Sequence, residues 1–362
     1  QTAFSKSLPP GSGAGDVKAN ILILLDSSKS MVNKPFVGDA VETIGDVVLL
    51  ADGDILVGQS KTNGGVVKYD YSTEKLDTDF AGGKKTFRGV AKDDCAVDGV
   101  QNTRIGNISS MDITSDLKDV SGEVIYIVAQ NYNKVVGIDS DGECVEVITD
   151  EELGRTFYGK NTGIYPEAVT IRTIGSEDHM IITGRQFKCA KYKGKGKKKR
   201  CKTWKYEGIF YSKNLTTGKT KNCEINNNFV YALKNSKSIT IDNGNNLYLS
   251  RGGYIYKHPI TKKDGTYCLS GSHFTWFSQS TGSINTPSHI DIDPQDDSIM
   301  YVTSANESTL QKISISSSAL TETISVGGSP EIDETPSSAA SDSSKIKMHQ
   351  PSALFVSNNR VW

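Results

Sequence analysis

The sequence has no apolar run long enough to cross a membrane, and it begins without methionine or a recognisable signal peptide. We interpret Gln1 as a mature N-terminus left by signal cleavage, or as an artificial boundary. Charge of one sign is also lacking: a net charge of −1 gives no overall field that would steer a polyanion to the protein. Electrostatic recognition must therefore come from local clusters of charge.

Signatures of catalysis are lacking as well. No Gly-x-Ser-x-Gly, His-Glu-x-x-His or phosphate-binding glycine loop occurs, and the five histidines are scattered along the chain. Motifs therefore indicate no enzyme class. A hydrolase or lyase would have to assemble its site by bringing distant residues together in the fold.

The six cysteines contain no Cys-x-x-Cys pair and have no histidine at metal-ligand spacing, which favours disulfides over zinc. Six cysteines allow fifteen connectivities. We predict one pair, Cys189 with Cys201, because the two are close in sequence. Disulfides imply an oxidising compartment outside the cytosol, so we expect a secreted or cell-surface protein.

What the 362-residue chain has in abundance is turns and short strands, with 34 glycines and 15 tyrosines. A unit of three short strands recurs, and its second strand passes through equivalent positions 53 to 70 residues apart, at Leu56, Tyr126, Ile181, Tyr248, Tyr301 and Trp362. Such recurrence predicts an all-β fold, a β-propeller of about six four-stranded blades over residues 45–362. The sixth blade would be incomplete at Trp362. A β-sandwich is the alternative, but the recurrence favours the propeller, and Ile241–Ser250 resembles the blades of NHL-type propellers.

The N-terminal part has a different pattern. Residues 1–19 are rich in proline, glycine and small polar side chains, which predicts a flexible lead-in. Residues 20–36 contain the apolar run Ile21–Leu25, followed by Asp26, Ser28 and Ser30. A carboxylate and two hydroxyls after a buried strand suit Mg²⁺ or Ca²⁺. The alternative is an ordinary strand followed by a serine-rich turn.

This Asp-x-Ser-x-Ser pattern, with Met31 after it, resembles the metal-ion-dependent adhesion site (MIDAS) of von Willebrand factor A domains. Together with Leu8-Pro9-Pro10-Gly11, the segment resembles the start of bacterial type IV pilus tip adhesins, which couple such a domain to a β-propeller. The resemblance implies a propeller inserted after the first strand of an α/β domain, whose remainder, with a further Thr and Asp ligand, lies beyond Trp362. Alternatively, Ile21–Leu25 closes the last blade as an outer strand.

Two acidic segments are candidates for the calcium loop that the resemblance implies on the propeller. The first contains Asp139, Asp141 and Glu143, whose spacing is too short for an EF-hand, and the second is Asp291–Asp297. Both are also compatible with plain β-turns.

A lysine-rich segment lies between the second and third strands of the third unit and should form a long hairpin. Tyr192 and Trp204 lie among its basic side chains, a composition that attracts polyanions such as anionic polysaccharide, lipid headgroups or nucleic acid. The alternative is a solvated loop that keeps a sheet edge soluble. The candidate polyanion-binding residues are Lys191, Lys193, Lys195, Lys197, Lys198, Lys199, Arg200 and Lys202.

Together these features predict a secreted or surface-displayed adhesin, associated with a pilus or the outer membrane, and not an enzyme. It would recognise anionic polysaccharide or a host or cell-surface protein through its loops, with pilus subunits and nucleic acid as further partners. The alternatives are a secreted propeller hydrolase or lyase and a structural subunit of an extracellular filament. Ionisable groups at the channel mouth would favour the enzyme, whereas an apolar plug would favour adhesion.

Overall fold

The computed structural model describes a set of ranges that covers most of the chain after residue 43. They are residues 44–70, 73, 75–89, 104–117, 120–153, 164–174, 176–194, 200–223, 233, 235–270, 274–278, 286–293, 296–304, 309–325, 353–354, 356–357 and 360–361. Asp26, Ser28 and Ser30, with the predicted strand Ile21–Leu25, lie outside these ranges, as do Lys195, Lys197, Lys198 and Lys199.

Five antiparallel sheets form the blades of a β-propeller, and in each the strands follow one another in chain order. In the fourth blade, the third strand pairs with the second strand on one edge. On its other edge it pairs with two different strands along its length. The strands of blade 1 are β1 (Ile44–Leu49), β2 (Ile55–Gln59), β3 (Val66–Asp70) and β4 (Lys75–Leu76). Those of blade 2 are β5 (Ile108–Leu117), β6 (Val120–Ala129), β7 (Lys134–Asp139) and β8 (Cys144–Ile148).

The remaining blades follow the same plan with longer strands in blade 3. Blade 3 contains β9 (Ile164–Ile174), β10 (Glu177–Lys193), β11 (Arg200–Asn214) and β12 (Thr220–Asn222). Blade 4 contains β13 (Ser238–Ile241), β14 (Asn246–Arg251), β15 (Tyr254–Lys263), β16 (Thr266–Leu269) and β17 (Phe274–Ser278). Blade 5 contains β18 (Pro287–Ile292), β19 (Ile299–Ser304), β20 (Thr309–Ser314) and β21 (Ala319–Ser325).

Blades pack face to face because successive side chains of a strand point to opposite faces of its sheet. In β6, Ile125 and Ile127 belong to the core shared with blade 1, whereas Tyr126 and Val128 belong to the core shared with blade 3. Similar apolar cores join blade 3 to blade 4 and blade 4 to blade 5. Burial on both faces explains why the second strands are nearly continuous apolar runs.

The first strand of each blade lies innermost. Strand β1 contacts β5, β5 contacts β9, β9 contacts β13 and β13 contacts β18, so the inner strands follow one another around a central axis. On its other face, blade 1 packs Ile44, Val47 and Val57 against Ala353. A segment from the end of the chain therefore covers the face of blade 1 that no described blade covers.

The expected count of about six blades is corrected to five. Where a sixth unit was expected, the described residues form only a hairpin of two-residue strands, β22 (Val356–Ser357) and β23 (Arg360–Val361), in which Val356 pairs with Val361. Two paired strands do not make a four-stranded blade.

The expected von Willebrand A-like α/β domain is not seen in the described ranges. The helical elements with described bounds are a short turn at Phe80–Gly83 and a 3₁₀ helix at Gln130–Tyr132. Neither is long and apolar enough to span a membrane.

Candidate functional site

Two cavities open at opposite ends of the inner strands. The first, of about 400 Å³, is lined by residues near the starts of the inner strands, including Ser109, Glu167 and Ser288, and by Arg185 of β10. We call it the Arg185 mouth. The second, of about 310 Å³, is lined by residues near the ends of the same strands and is called the Asp112 mouth. Its polar lining consists of Asp112, Thr170, Arg172, Thr173, Thr240, Asn243 and Asp291.

Aspartates on the inner strands bind backbone amides of the next blade. The Asp46 carboxylate accepts hydrogen bonds from the amides of Val47 (2.9 Å) and Met111 (2.7 Å). Because Met111 lies on β5, the Asp46 carboxylate joins blade 1 to blade 2, which is a structural role.

The same arrangement recurs one blade later. The Asp112 carboxylate accepts from the amides of Ile113 (2.8 Å) and Ile171 (2.6 Å), which joins blade 2 to blade 3. Asp291 accepts from the amide of Ile292 (2.9 Å) and from the Thr240 hydroxyl (3.3 Å). The Asp112 and Asp291 carboxylates therefore connect neighbouring blades and also line the Asp112 mouth.

Ionisation of these groups is strongly perturbed. Burial raises the pKa of Asp112 to about 7, and the nearby Asp291 carboxylate adds to this rise. Burial also raises the pKa of Asp46 well above its usual value. Its neighbour His289, whose Nδ1 lies 3.6 Å from the Asp46 carboxylate, has its pKa lowered by burial to about 3 and is neutral.

The predicted calcium loop at Asp139 forms the turn between β7 and β8. One Asp139 carboxylate oxygen accepts from the amides of Asp141 (3.0 Å) and Glu143 (2.8 Å), and Gly142 adopts a left-handed φ of 82°. This is the geometry of a β-turn stabilised by its first residue. Within the described ranges, no group of three or more Asp, Glu, His or Cys side chains is arranged to hold a metal ion, so the predicted cation stays a prediction.

In the second acidic segment the carboxylates point to different partners. Asp296 accepts from the amide and hydroxyl of Ser298, whereas Asp297 binds Arg172 and the Asn243 amide. These contacts again indicate structural roles.

The lysine-rich segment forms a two-stranded ribbon that projects from blade 3. The ladder between β10 and β9 ends at Gln186, but β10 and β11 remain paired to Lys193 and Arg200. From Phe187 to Lys193 the ribbon thus extends for roughly 20 Å beyond the blade. Cys189 and Cys201 are disulfide-bonded within it, the pair predicted from the sequence.

The ribbon presents basic and aromatic side chains to solvent. Lys191, Lys193, Lys202 and Lys205 are exposed, as are Tyr192 (54%) and Trp204 (37%). No Asp or Glu occurs between residues 188 and 205, so nothing within the ribbon neutralises these charges. We call this region the basic ribbon.

The Arg185 mouth lies at the base of the basic ribbon. Gln186, the residue after Arg185, pairs with Ile164 at the start of β9, and the ribbon leaves the blade at that point. The Arg185 mouth and the ribbon therefore share one face of the propeller, whereas Asp112 and Asp291 lie towards the other.

Sequence reasoning missed both mouths. Asp112 and Asp291 stood within predicted first strands, and a carboxylate in an otherwise apolar strand was a usable signal. Arg185 and Glu167 lie on two strands and Lys237 lies just before a third, so the sequence carried no signal of their convergence.

A second described disulfide joins Cys223, after β12, to Cys268 on β16, and so links blade 3 to blade 4. Cys144 is disulfide-bonded too. These bonds indicate a protein of an oxidising compartment.

No protein-family model matches the sequence, and no curated protein matches it. Many solved structures are similar in fold. They include a crystal structure of a nidogen/laminin complex, with 8% identity, 78% of this chain and 80% of that chain covered, and a TM-score of 0.45.

Two further solved structures are similar in fold. A luciferin-regenerating enzyme shares 12% identity over 78% of this chain and 76% of its own, with a TM-score of 0.45. The Dos1 propeller shares 11% identity over 80% of this chain and 60% of its own, with a TM-score of 0.41. At these values the similarities carry no argument about function.

Proposed function

We propose that this protein is a secreted or surface-displayed recognition protein that binds an anionic polysaccharide through the basic ribbon. The observation that carries the proposal is the ribbon itself, in which four exposed lysines lie beside exposed Tyr192 and Trp204 with no acidic residue between 188 and 205. Sulfate and carboxylate groups would bind the ammonium groups, while sugar faces would stack on the two rings.

The disulfide supports a binding role over that of a solvated loop. A loop that only keeps an edge soluble needs charge but no fixed shape. The Cys189–Cys201 bond holds the two strands in register beyond the blade, so less order must be gained when a ligand binds. The same disulfides favour a polysaccharide outside the cell over nucleic acid inside it.

Affinity for heparin, measured at several salt concentrations, tests this function. The triple variant Lys191→Gln, Lys193→Gln, Lys202→Gln should bind more weakly and should lower the slope of log affinity against log salt by up to about 3. The matched control removes the same charge from blade 1, where Lys75, Lys84 and Lys85 are also exposed, and should bind like the native protein. Equal effects of the two triple variants, or binding independent of salt, would reject the ribbon as the binding surface.

A second candidate function is a hydrolase or lyase at the Asp112 mouth, and one observation favours it. Asp112, with a pKa near 7, lies beside Asp291 in a cavity that also contains Arg172. Two neighbouring carboxyls can act as general acid and general base. Hydrolysis of chromogenic glycosides and esters that is lost in Asp112→Asn, with the variant shown to be folded by circular dichroism, would support this function. Absence of turnover across such a panel would count against it.

A bound divalent cation and a pilus-tip location remain proposals that rest on the resemblance of Asp26, Ser28 and Ser30 to an adhesion motif. Calorimetry with Mg²⁺ and Ca²⁺ tests the cation. Mg²⁺ binding lost in Asp26→Ala would support the N-terminal loop, whereas Ca²⁺ binding lost in Asp141→Ala would support the β7–β8 turn.

A further inference from the structure

We propose that the Arg185 mouth is a subsite for one acidic sugar unit of the polysaccharide that lies along the basic ribbon. This inference rests on the proposed function and adds to it a second contact region of different chemistry. The ribbon would supply affinity for any polyanion, whereas the mouth would select an acidic sugar.

Position is the first argument. A ligand that follows the ribbon to its base reaches Arg185, because only Gln186 separates this residue from the first ribbon residue, Phe187. From Arg185 to Tyr192 the strand spans seven residues, or roughly 23 Å. An extended oligosaccharide can contact the mouth and the ribbon at the same time.

Arg185 is held in place for binding. Its Nε lies 3.1 Å from Glu167 Oε1, and its Nη1 donates to the Asn235 side chain. The carbon at the centre of its guanidinium lies 5.7 Å from the ring centre of Tyr165 and 5.6 Å from that of Phe187. Its side chain remains 30% exposed. With Nε beside Glu167 and Nη1 on Asn235, the partly exposed guanidinium can present its remaining edge to a carboxylate or sulfate.

Lys237 supplies a second cation in the same cavity. It is exposed, and no described carboxylate forms a salt bridge with it. Since Arg185 is partly neutralised by Glu167, the charge that Lys237 adds makes the mouth favourable for an anion.

The rest of the cavity suits sugar hydroxyls. Asn107 donates to Gln130 (3.0 Å) and Ser109 donates to the Glu167 carbonyl (2.7 Å), which fixes amide and hydroxyl groups along the wall. Ser288 also lines the cavity. Fixed donors and acceptors around two cations match an acidic sugar better than a bare phosphate or a flat base.

Calorimetry with short ligands separates the mouth from the ribbon. The probes are a heparin tetrasaccharide, a hyaluronan tetrasaccharide, which carries carboxylates without sulfates, a neutral chitin tetrasaccharide and a short single-stranded DNA. We expect Lys237→Gln and Arg185→Gln to weaken binding of an acidic tetrasaccharide about tenfold, the loss of one charge-assisted contact. Both should change affinity for long heparin less than the ribbon triple variant does.

The two acidic tetrasaccharides show whether carboxylate or sulfate is the bound group, and melting temperatures identify a variant that fails to fold. Lys237→Gln removes an exposed side chain, so it tests the subsite even if Arg185→Gln is unstable. Unchanged tetrasaccharide affinity in Lys237→Gln, with heparin binding still lost in the ribbon variant, would overturn the subsite and leave the proposed function intact. Equal losses for DNA and sugar would overturn the sugar specificity, and absence of heparin binding by the native protein would overturn both proposals.

Discussion

Arg172 and Asp297 form a salt bridge of 2.7 Å between blade 3 and blade 5, although 125 residues separate them in sequence. The Asp297 carboxylate also accepts from the Asn243 amide of blade 4. One carboxylate therefore ties three blades together at the Asp112 mouth, the position where a ring of separate sheets most needs cross-links.

We predict that Asp297→Asn lowers the free energy of unfolding by about 1–2 kcal/mol, because the Arg172 and Asp297 side chains are only 15% and 27% exposed. Urea denaturation measures this change, and a double-mutant cycle with Arg172→Gln isolates the pair. The exposed pair of Lys221 and Asp264 is the control, and Asp264→Asn should leave stability nearly unchanged. A loss no larger than that of the control would show that the bridge is not structural.

The pKa of Asp112 predicts how stability depends on pH. In the folded protein this pKa is about 7, above the usual value of 3.8 for an aspartate, so between these two values the unfolded state binds fewer protons than the folded state. Its contribution to stability is therefore full below about pH 4 and is lost as the pH rises through about 7.

Other groups act in the same range, so the measured quantity is a difference. Glu167 acts in the same direction, whereas His289, with a pKa lowered to about 3, destabilises the fold as the pH falls below its usual value. We predict that, as the pH rises from 4 to 7, the native protein loses stability relative to Asp112→Asn. Urea denaturation of both proteins at each pH measures this difference in the free energy of unfolding. Parallel profiles of the two proteins would contradict the raised pKa.

The strand plan was predictable from the sequence because it depends on short-range patterns. Leu56, Tyr126, Ile181, Tyr248 and Tyr301, aligned as equivalent, all lie on the second strands of their blades. Each lies in a short, nearly continuous apolar run, which indicates a strand buried on both faces and is a local property of the sequence.

The number of blades was less predictable, because whether a short apolar segment completes a sheet depends on partners elsewhere in the chain. The apolar segment before Ser357 resembled a first strand, but here the described pairing is a hairpin of two-residue strands. The same holds for the candidate site. The basic ribbon was visible in the sequence because its residues are contiguous. Arg185 and Lys237 line one cavity only because the fold places blade 3 beside blade 4.

The two described disulfides should have separable effects. We predict that Cys189→Ser with Cys201→Ser weakens heparin binding severalfold but barely changes the melting temperature. Without the bond, the end of the ribbon gains freedom in the folded as well as the unfolded protein, so little net stability is lost. Heparin affinity and thermal unfolding of the purified variant measure the two effects.

The control for this experiment is Cys223→Ser with Cys268→Ser, which breaks the link between blades 3 and 4. We expect this variant to lose about 2–4 kcal/mol of stability and to bind heparin normally while folded. If this variant, while folded, lost as much heparin affinity as the Cys189→Ser, Cys201→Ser variant, the ribbon would not be a separate binding element.

Glu167 should make sugar binding at the Arg185 mouth dependent on pH. Burial raises its pKa to about 7, although Arg185 and Arg251 lower it. Glu167 is the one carboxylate among the described residues that line the Arg185 mouth. As the pH falls through 7, its protonation removes a negative charge beside Arg185 and Lys237, so affinity for an acidic tetrasaccharide should rise about fivefold from pH 8 to pH 6. Sulfate and uronate groups stay charged over this range. Asp112 also titrates near pH 7 but lies at the opposite mouth, so the Glu167 variant identifies which group is responsible. The conservative variant Glu167→Gln should bind with the same affinity at both pH values, and calorimetry of the native protein should detect proton uptake on binding that this variant lacks. A pH dependence that persists in Glu167→Gln would assign the titration to another group and remove Glu167 from the subsite.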